Sequence, residues 1–183
     1  MRRAPAFFIG LLLSNAAYAS TLNRPLDPVV LTGTSLPGLC GMPVDRIVAL
    51  RYESGWTQIP VQIDERKVVE YRVVYNNLVT TWTLTTLAYT DPTTYTGPDT
   101  DPLFDADDEL VLMARDAGDR APVGAVRPPG TIGVGVEIAM TDPRDGGLGY
   151  AYLFAGDGSL APDAGADYVT YTFNLLAGEY TVA

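Results

Sequence analysis

Histidine is missing altogether from these 183 residues. Its absence removes Ser-His-Asp and Cys-His nucleophile activation, imidazole acid–base catalysis and most zinc, copper and haem sites. Cysteine occurs once, as Cys40, so no disulfide can close within the chain. Cys40 follows Pro37-Gly38-Leu39 and lacks the small residue that precedes a lipid-modified cysteine. A buried, inert thiol is expected, with a partner cysteine outside this sequence as the alternative. Lysine also occurs once, as Lys67, and the 12 basic residues face 22 acids for a formal charge of −10. Nucleic acid is therefore excluded as an expected partner, because its binding needs basic residues to displace counterions from phosphate. Polybasic attachment to an anionic membrane is disfavoured for the same reason. Long apolar runs are lacking too, since none reaches the roughly 20 residues that span a bilayer.

The longest apolar run, Ala6 to Leu13, follows Arg2 and Arg3 and precedes Ala17-Tyr18-Ala19. Basic residues, a short apolar stretch and small residues at the cleavage positions form the pattern of a secretory signal, so residues 1–19 are expected to be removed. An uncleaved N-terminal anchor is the alternative. Cleavage leaves 164 of the 183 residues and takes away two bases and no acid, which moves the formal charge from −10 to −12. The expected location is outside the cytoplasm: secreted, periplasmic or on the cell surface. No membrane span is expected after cleavage.

What remains is rich in Thr, Val and Tyr and punctuated by Gly and Pro, which suits short strands and turns. No stretch shows a 3.6-residue apolar period. Strands are expected at 28–32, 46–52, 57–63, 68–75, 79–89, 109–114, 132–140, 149–154, 168–175 and 180–182. Ile59, Val61 and Ile63 alternate with Gln58, Pro60, Gln62 and Asp64, a half-buried pattern with one dry face. The fold class is thus all-β, an antiparallel β-sandwich or partly open barrel, formed by a single domain over residues 20–183. Ile59, Val61, Ile63, Leu110, Leu112 and Val136 are expected inside. The closing segment Glu179 to Ala183 has a strand pattern, and two readings of it are open: the N-terminal part of a longer protein, or an edge strand that ends there.

Between Tyr89 and Phe104 no apolar period is visible, and loops of that length in compact domains usually bind something. Asp99, Asp101, Asp105, Asp107, Asp108 and Glu109 put six carboxylates into eleven positions, directly ahead of Leu110-Val-Leu-Met-Ala114. Such crowding calls either for full hydration or for a shared cation. Calcium, which takes six to eight oxygen ligands, is the expected ion. If 105–109 were extended, Asp105, Asp107 and Glu109 would share one face and Asp108 would take the other. An EF-hand is excluded, because Leu110 stands where that loop needs glycine. The competing expectation is a solvated turn in which Asp side chains cap backbone N–H groups. A second acidic loop, Asp157-Gly158-Ser159 with Asp163 and Asp167, is a weaker candidate. Glycoside hydrolysis needs only two carboxylates, for which Glu53, Asp64, Glu65 and Glu137 are conceivable. Ser159 is not in a nucleophile elbow, and no phosphate loop with its lysine occurs.

The phrases Trp56-Thr-Gln-Ile-Pro-Val-Gln-Ile-Asp-Glu-Arg66 and Phe104-Asp-Ala-Asp-Asp-Glu-Leu-Val-Leu-Met-Ala-Arg-Asp-Ala-Gly118 resemble a group of uncharacterised secreted bacterial proteins. Those proteins combine an Ile-Pro-Val-Gln strand and its acids with an Asp-rich turn before an apolar strand. The resemblance spans residues 40–120 and implies no activity. Similar strand phrases occur in N-terminal β-domains of secreted polysaccharide-active proteins, which implies a carbohydrate connection. Two functions follow as expectations. One is an exported, non-catalytic module of a secreted or surface protein, stabilised by calcium and binding other surface proteins. The other is a carbohydrate-active protein or its glycan-binding accessory domain, with Trp56, Trp82, Tyr89 and Tyr95 stacking on sugar rings; core packing is the competing expectation for both tryptophans.

Overall fold

A computed structural model describes residues 19–73, 83–94, 96–162, 164, 168, 171–174 and 179–182. Among the described residues are eleven strands: β1 (Pro28–Thr32), β2 (Ile47–Tyr52), β3 (Trp56–Ile59), β4 (Gln62–Asp64), β5 (Arg66–Glu70), β6 (Thr85–Tyr89), β7 (Glu109–Met113), β8 (Thr131–Thr141), β9 (Leu148–Gly156), β10 (Tyr171–Asn174) and β11 (Glu179–Val182). They form a three-stranded sheet in the order β1-β7-β4, a four-stranded sheet in the order β3-β2-β9-β8, and two hairpins, β5-β6 and β10-β11. Every pairing is antiparallel. No described helix is long and apolar enough to cross a membrane.

The two larger sheets face each other as a sandwich. Leu110 and Leu112 alternate inward along β7 and meet Ile47 and Ala49 of β2, Ile59 of β3, and Ala151 and Leu153 of β9. Val29, Leu31, Ile63, Val136 and Ile138 close the sides, and Leu36, Leu39 and Phe104 plug the ends from loops. All six residues expected inside belong to this layer, with Ile59, Leu110 and Leu112 fully buried and Val61, Ile63 and Val136 packed partly against it.

The expected strand 57–63 is in fact two. Pro60 has no N–H to donate to a ladder, and the chain leaves β3, paired with β2, to enter β4, paired with β7 in the other sheet. Thus the alternating run crosses from one layer of the sandwich to the other. The expected strand 68–75 starts at Arg66 and ends at Glu70 in a turn over Tyr71–Val73. Residues 79–82 of the expected strand 79–89 fall outside the described residues, as do residues 1–18 of the leader, and the described strand begins at Thr85.

A single dry face was expected of each sheet, yet β9 is buried along nearly its whole length. Val48, Leu50, Tyr150, Tyr152 and Phe154 form a second apolar cluster, with Tyr52, Trp56, Ala121, Leu148 and Leu160 against it. These alternate with the residues that face the sandwich interior, so they lie on the outer side of the four-stranded sheet. Irregular segments around 118–130 and 157–160 cover them. Gly135 allows the Phe154 ring to approach, since a Cβ there would sit 2.3 Å from the ring. Cys40, expected to be buried, is exposed in the loop after β1.

Two substitutions test this packing. Leu112→Ala should cost about 2–5 kcal/mol through lost contacts and the cavity left behind. At Gly33 a Cβ would lie 1.6 Å from the Asp105 carbonyl oxygen, so Gly33→Ala should cost about 3 kcal/mol or more. Urea unfolding midpoints measure both, and a neutral Gly33→Ala would contradict the docking of the β1 loop on the acidic turn.

Candidate functional site

The acidic segment is a compact turn pinned on three sides. The loop after β1 reaches it from below, where Gly33 N–H donates to the Asp108 carbonyl at 2.9 Å and Thr34 N–H to the Ala106 carbonyl at 3.0 Å. Within the turn, Asp107 N–H donates to Asp105 Oδ1 at 3.0 Å. Asp108 is 2 % exposed, and its carboxylate accepts the N–H of Asp105 at 2.8 Å and that of Arg66 at 2.9 Å. It thereby ties the turn to the first residue of β5. Upstream, Asp99 accepts the Asp101 N–H at 3.0 Å and Asp101 accepts the Leu103 N–H at 3.2 Å.

Extended backbone over 105–109 would have aligned Asp105, Asp107 and Glu109. The turn does otherwise. Carboxylate oxygens of Asp105, Asp107 and Asp108 all lie within 4.8 Å of one another. Glu109, the first residue of β7, points to different partners: the Arg66 guanidinium at 2.5 Å and the Tyr89 hydroxyl at 2.7 Å. Arg66 also donates to the Asp107 carbonyl. Sequence reasoning missed Arg66, although it is the only cation in the Asp64-Glu65-Arg66 step, and that position was the available signal.

The electrostatics follow from this crowding. Hydrogen bonding to Asp105, followed by burial and the Asp105 charge, pushes the Asp107 carboxyl up to about 6. Its partner Asp105 is held below the ordinary range by the same hydrogen bond. Burial raises Asp108 despite the two N–H groups it accepts. Glu65 is raised by burial first and then by the charges of Asp108, Asp99, Asp101 and Asp105. Asp99 and Asp101 therefore belong to the same field without joining the close triad. Oxygen donors alone, in a turn already held in shape, suit a hard cation such as calcium.

The second acidic loop is turn chemistry: Asp157 accepts the Ser159 N–H at 2.8 Å, and Gly158 adopts φ of 97°. Asp163 and Asp167 lie outside the described residues. Trp56, for which core packing was weighed against a sugar-stacking platform, packs edge-on against Tyr52, Tyr152 and Phe154 and donates its indole N–H to the Val126 carbonyl at 2.7 Å. Tyr89 is 57 % exposed and walls a shallow hollow of about 320 Å³ with Val44, Ile63, Asp64, Glu65, Thr90 and Pro92. Trp82 and Tyr95 lie outside the described residues. No family model matches the chain, and no curated protein or solved structure is detectably similar to it.

The raised acids fix a pH dependence. A carboxyl whose folded pKa exceeds its unfolded value binds its proton more tightly when folded. For Asp107 that stabilisation is complete below about 3.8 and is lost as pH rises through about 6. Glu65 and Asp108 act in the same direction. In chelator, the melting midpoint should rise as pH is lowered from 7.5 to 5 (~2.5 units spanning the Asp107 titration), and Asp107→Asn should flatten that rise. A midpoint that falls steadily over this range would contradict the shared-proton geometry.

Proposed function

We propose that the chain is an exported, non-catalytic β-sandwich module of a secreted or cell-surface protein, with calcium stabilising the turn at Asp105, Asp107 and Asp108. The observation that carries this reading is the convergence of those three carboxylates, within 4.8 Å, on a turn anchored to the loop after β1 and to the start of β5. Calcium there would neutralise the repulsion among Asp105, Asp107 and Asp108. A structural rather than catalytic role is supported by how other acids are engaged. Glu137 pairs with Arg120 at 2.9 Å and accepts the Tyr152 hydroxyl at 3.1 Å, and Glu53 lies 3.5 Å from Arg51.

A glycan-binding accessory domain is the second reading, and the hollow beside Tyr89 is what favours it. An exposed ring next to the carboxylates of Asp64 and Glu65 offers a stacking face and hydroxyl acceptors.

Thermal melts separate the two. If calcium binds the folded form alone, free ion at about 100 times its Kd should add about 2.7 kcal/mol. Magnesium should add less, because it holds its water and demands a tight octahedron. Replacing Asp105 and Asp107 together with Asn should abolish the response. Equal midpoints in calcium and in chelator would overturn the calcium role. Tyrosine fluorescence that shifts with added oligosaccharide, and no longer does so in Tyr89→Ala, would favour the glycan reading instead.

A further inference from the structure

We propose that Asp119 is a built-in receptor for the α-amino group created at Ser20 when residues 1–19 are removed. The proposal rests on the reading of those residues as a cleaved leader. Its geometric basis is independent of that reading. Ser20 N–H donates to Asp119 Oδ1 at 2.8 Å. Its hydroxyl donates to the Leu148 carbonyl at 3.3 Å.

The berth continues along the next two residues. Thr21 and Leu22 N–H groups both donate to the Leu148 carbonyl, at 2.8 and 3.2 Å. Leu148 N–H returns a bond to Thr21 Oγ1 at 3.0 Å, and Leu22 packs on the central core. Two glycines make the room. A Cβ at Gly149 would lie 3.0 Å from Ser20 Oγ, and one at Gly147 would lie 2.8 Å from the Thr21 carbonyl oxygen. Ala19, one residue earlier, is exposed.

Asp119 is itself fixed. Its N–H donates to the Tyr52 carbonyl at 2.7 Å, and its neighbour Gly118 exchanges backbone bonds with Tyr150 at 2.8 and 3.0 Å. The carboxylate is therefore presented by the backbone at the end of β2 and the start of β9, where Ser20 and Thr21 arrive.

Hydrolysis of the Ala19–Ser20 amide by a signal peptidase consumes one water. Ala19 leaves with a carboxylate, and the Ser20 nitrogen keeps the electron pair of the broken bond and takes up protons to become an ammonium. The amide N–H···carboxylate bond, charge-assisted through its acceptor alone, then becomes an ion pair with charge on both partners. The precursor cannot form that pair, because its Ser20 nitrogen is an amide. Processing thus strengthens the fold only after the leader has gone.

The test uses chains that begin at Ser20 or at Ala19, each with Asp119 and with Asp119→Asn, together with N-terminal sequencing of the exported protein. The Ser20 chain should melt about 2–4 °C above the Ala19 chain, and Asp119→Asn should erase that difference. The Ser20 amine should also be acetylated more slowly near neutral pH when Asp119 is present, a readout that survives if the variant is generally less stable. Equal midpoints and equal acetylation, with Ser20 confirmed as the exported N-terminus, would overturn the receptor alone. An exported N-terminus other than Ser20 would overturn the cleavage reading, while the melts would still decide whether Asp119 recognises an amine.

Discussion

A sheet buried on both faces in a chain whose described residues include no α-helix is the constraint on which the rest depends. β2 and β9 present Ile47, Ala49, Ala151 and Leu153 to the sandwich interior and Val48, Leu50, Tyr150, Tyr152 and Phe154 to the outside. The outer cluster must be covered by irregular chain, and irregular chain leaves backbone N–H groups without ladder partners. Each one buried unpaired costs about 1–3 kcal/mol. Aspartate meets that need repeatedly. Asp91, Asp99, Asp101, Asp105, Asp142, Asp145 and Asp157 each accept the N–H two residues on. Much of the acidic composition therefore has a local structural origin, and net charge alone points to no ligand.

Where those caps converge, two effects of similar size oppose each other. Two ionised carboxylates with oxygens within 4.8 Å repel by about 3.5 kcal/mol or more at an effective dielectric near 20, before screening by water. A hydrogen bond to a charged group contributes about 1.5–3 kcal/mol. The turn at 105–108 is thus close to balance at neutral pH, and a proton or a divalent ion decides which way it falls. Glu109 escapes this competition because Arg66 and Tyr89 engage both of its oxygens. Arg66 directly follows Asp64-Glu65 and pairs with Glu109, so its removal would take the guanidinium partner from Glu109.

Period-two patterning made most of the fold legible in the sequence. β1, β7, β8 and β9 lie within a few residues of their expected bounds, and the alternation of Leu110 with Leu112 located the central core. The crossing at Pro60 was hidden because Ile59, Val61 and Ile63 keep the same inward alternation while the chain changes sheets. Alternation also says nothing about the second face of β9, since tyrosine suits both a wet surface and a covered one. The triad was half legible. Composition marked the segment, but parity assumed an extended chain, and the turn moved Asp108 toward Asp105 and took Glu109 away. Trp56 could not be assigned from sequence, because its indole N–H finds a partner seventy residues away, at the Val126 carbonyl.

Apolar burial holds the two sheets together but is non-directional, so it does not by itself fix how one sheet sits on the other. Polar ties at the two ends of β7 supply that direction. Before β7, Asp108 joins the acidic turn to Arg66 and so to the β5-β6 hairpin. After β7, the chain turns through Ala114–Asp116 and enters the other sheet, with Gly118 on Tyr150 and Asp119 on Tyr52. The N-terminal segment makes the same crossing in the opposite sense, from Ser20 and Thr21 beside Leu148 of β9 to β1 beside β7. The two crossings meet where Ser20 N–H reaches Asp119. At each end of a central strand a carboxylate thus accepts a backbone nitrogen that no sequence pattern marks: Asp108 fixes the acidic turn to the start of β5, and Asp119 joins the two crossings between layers.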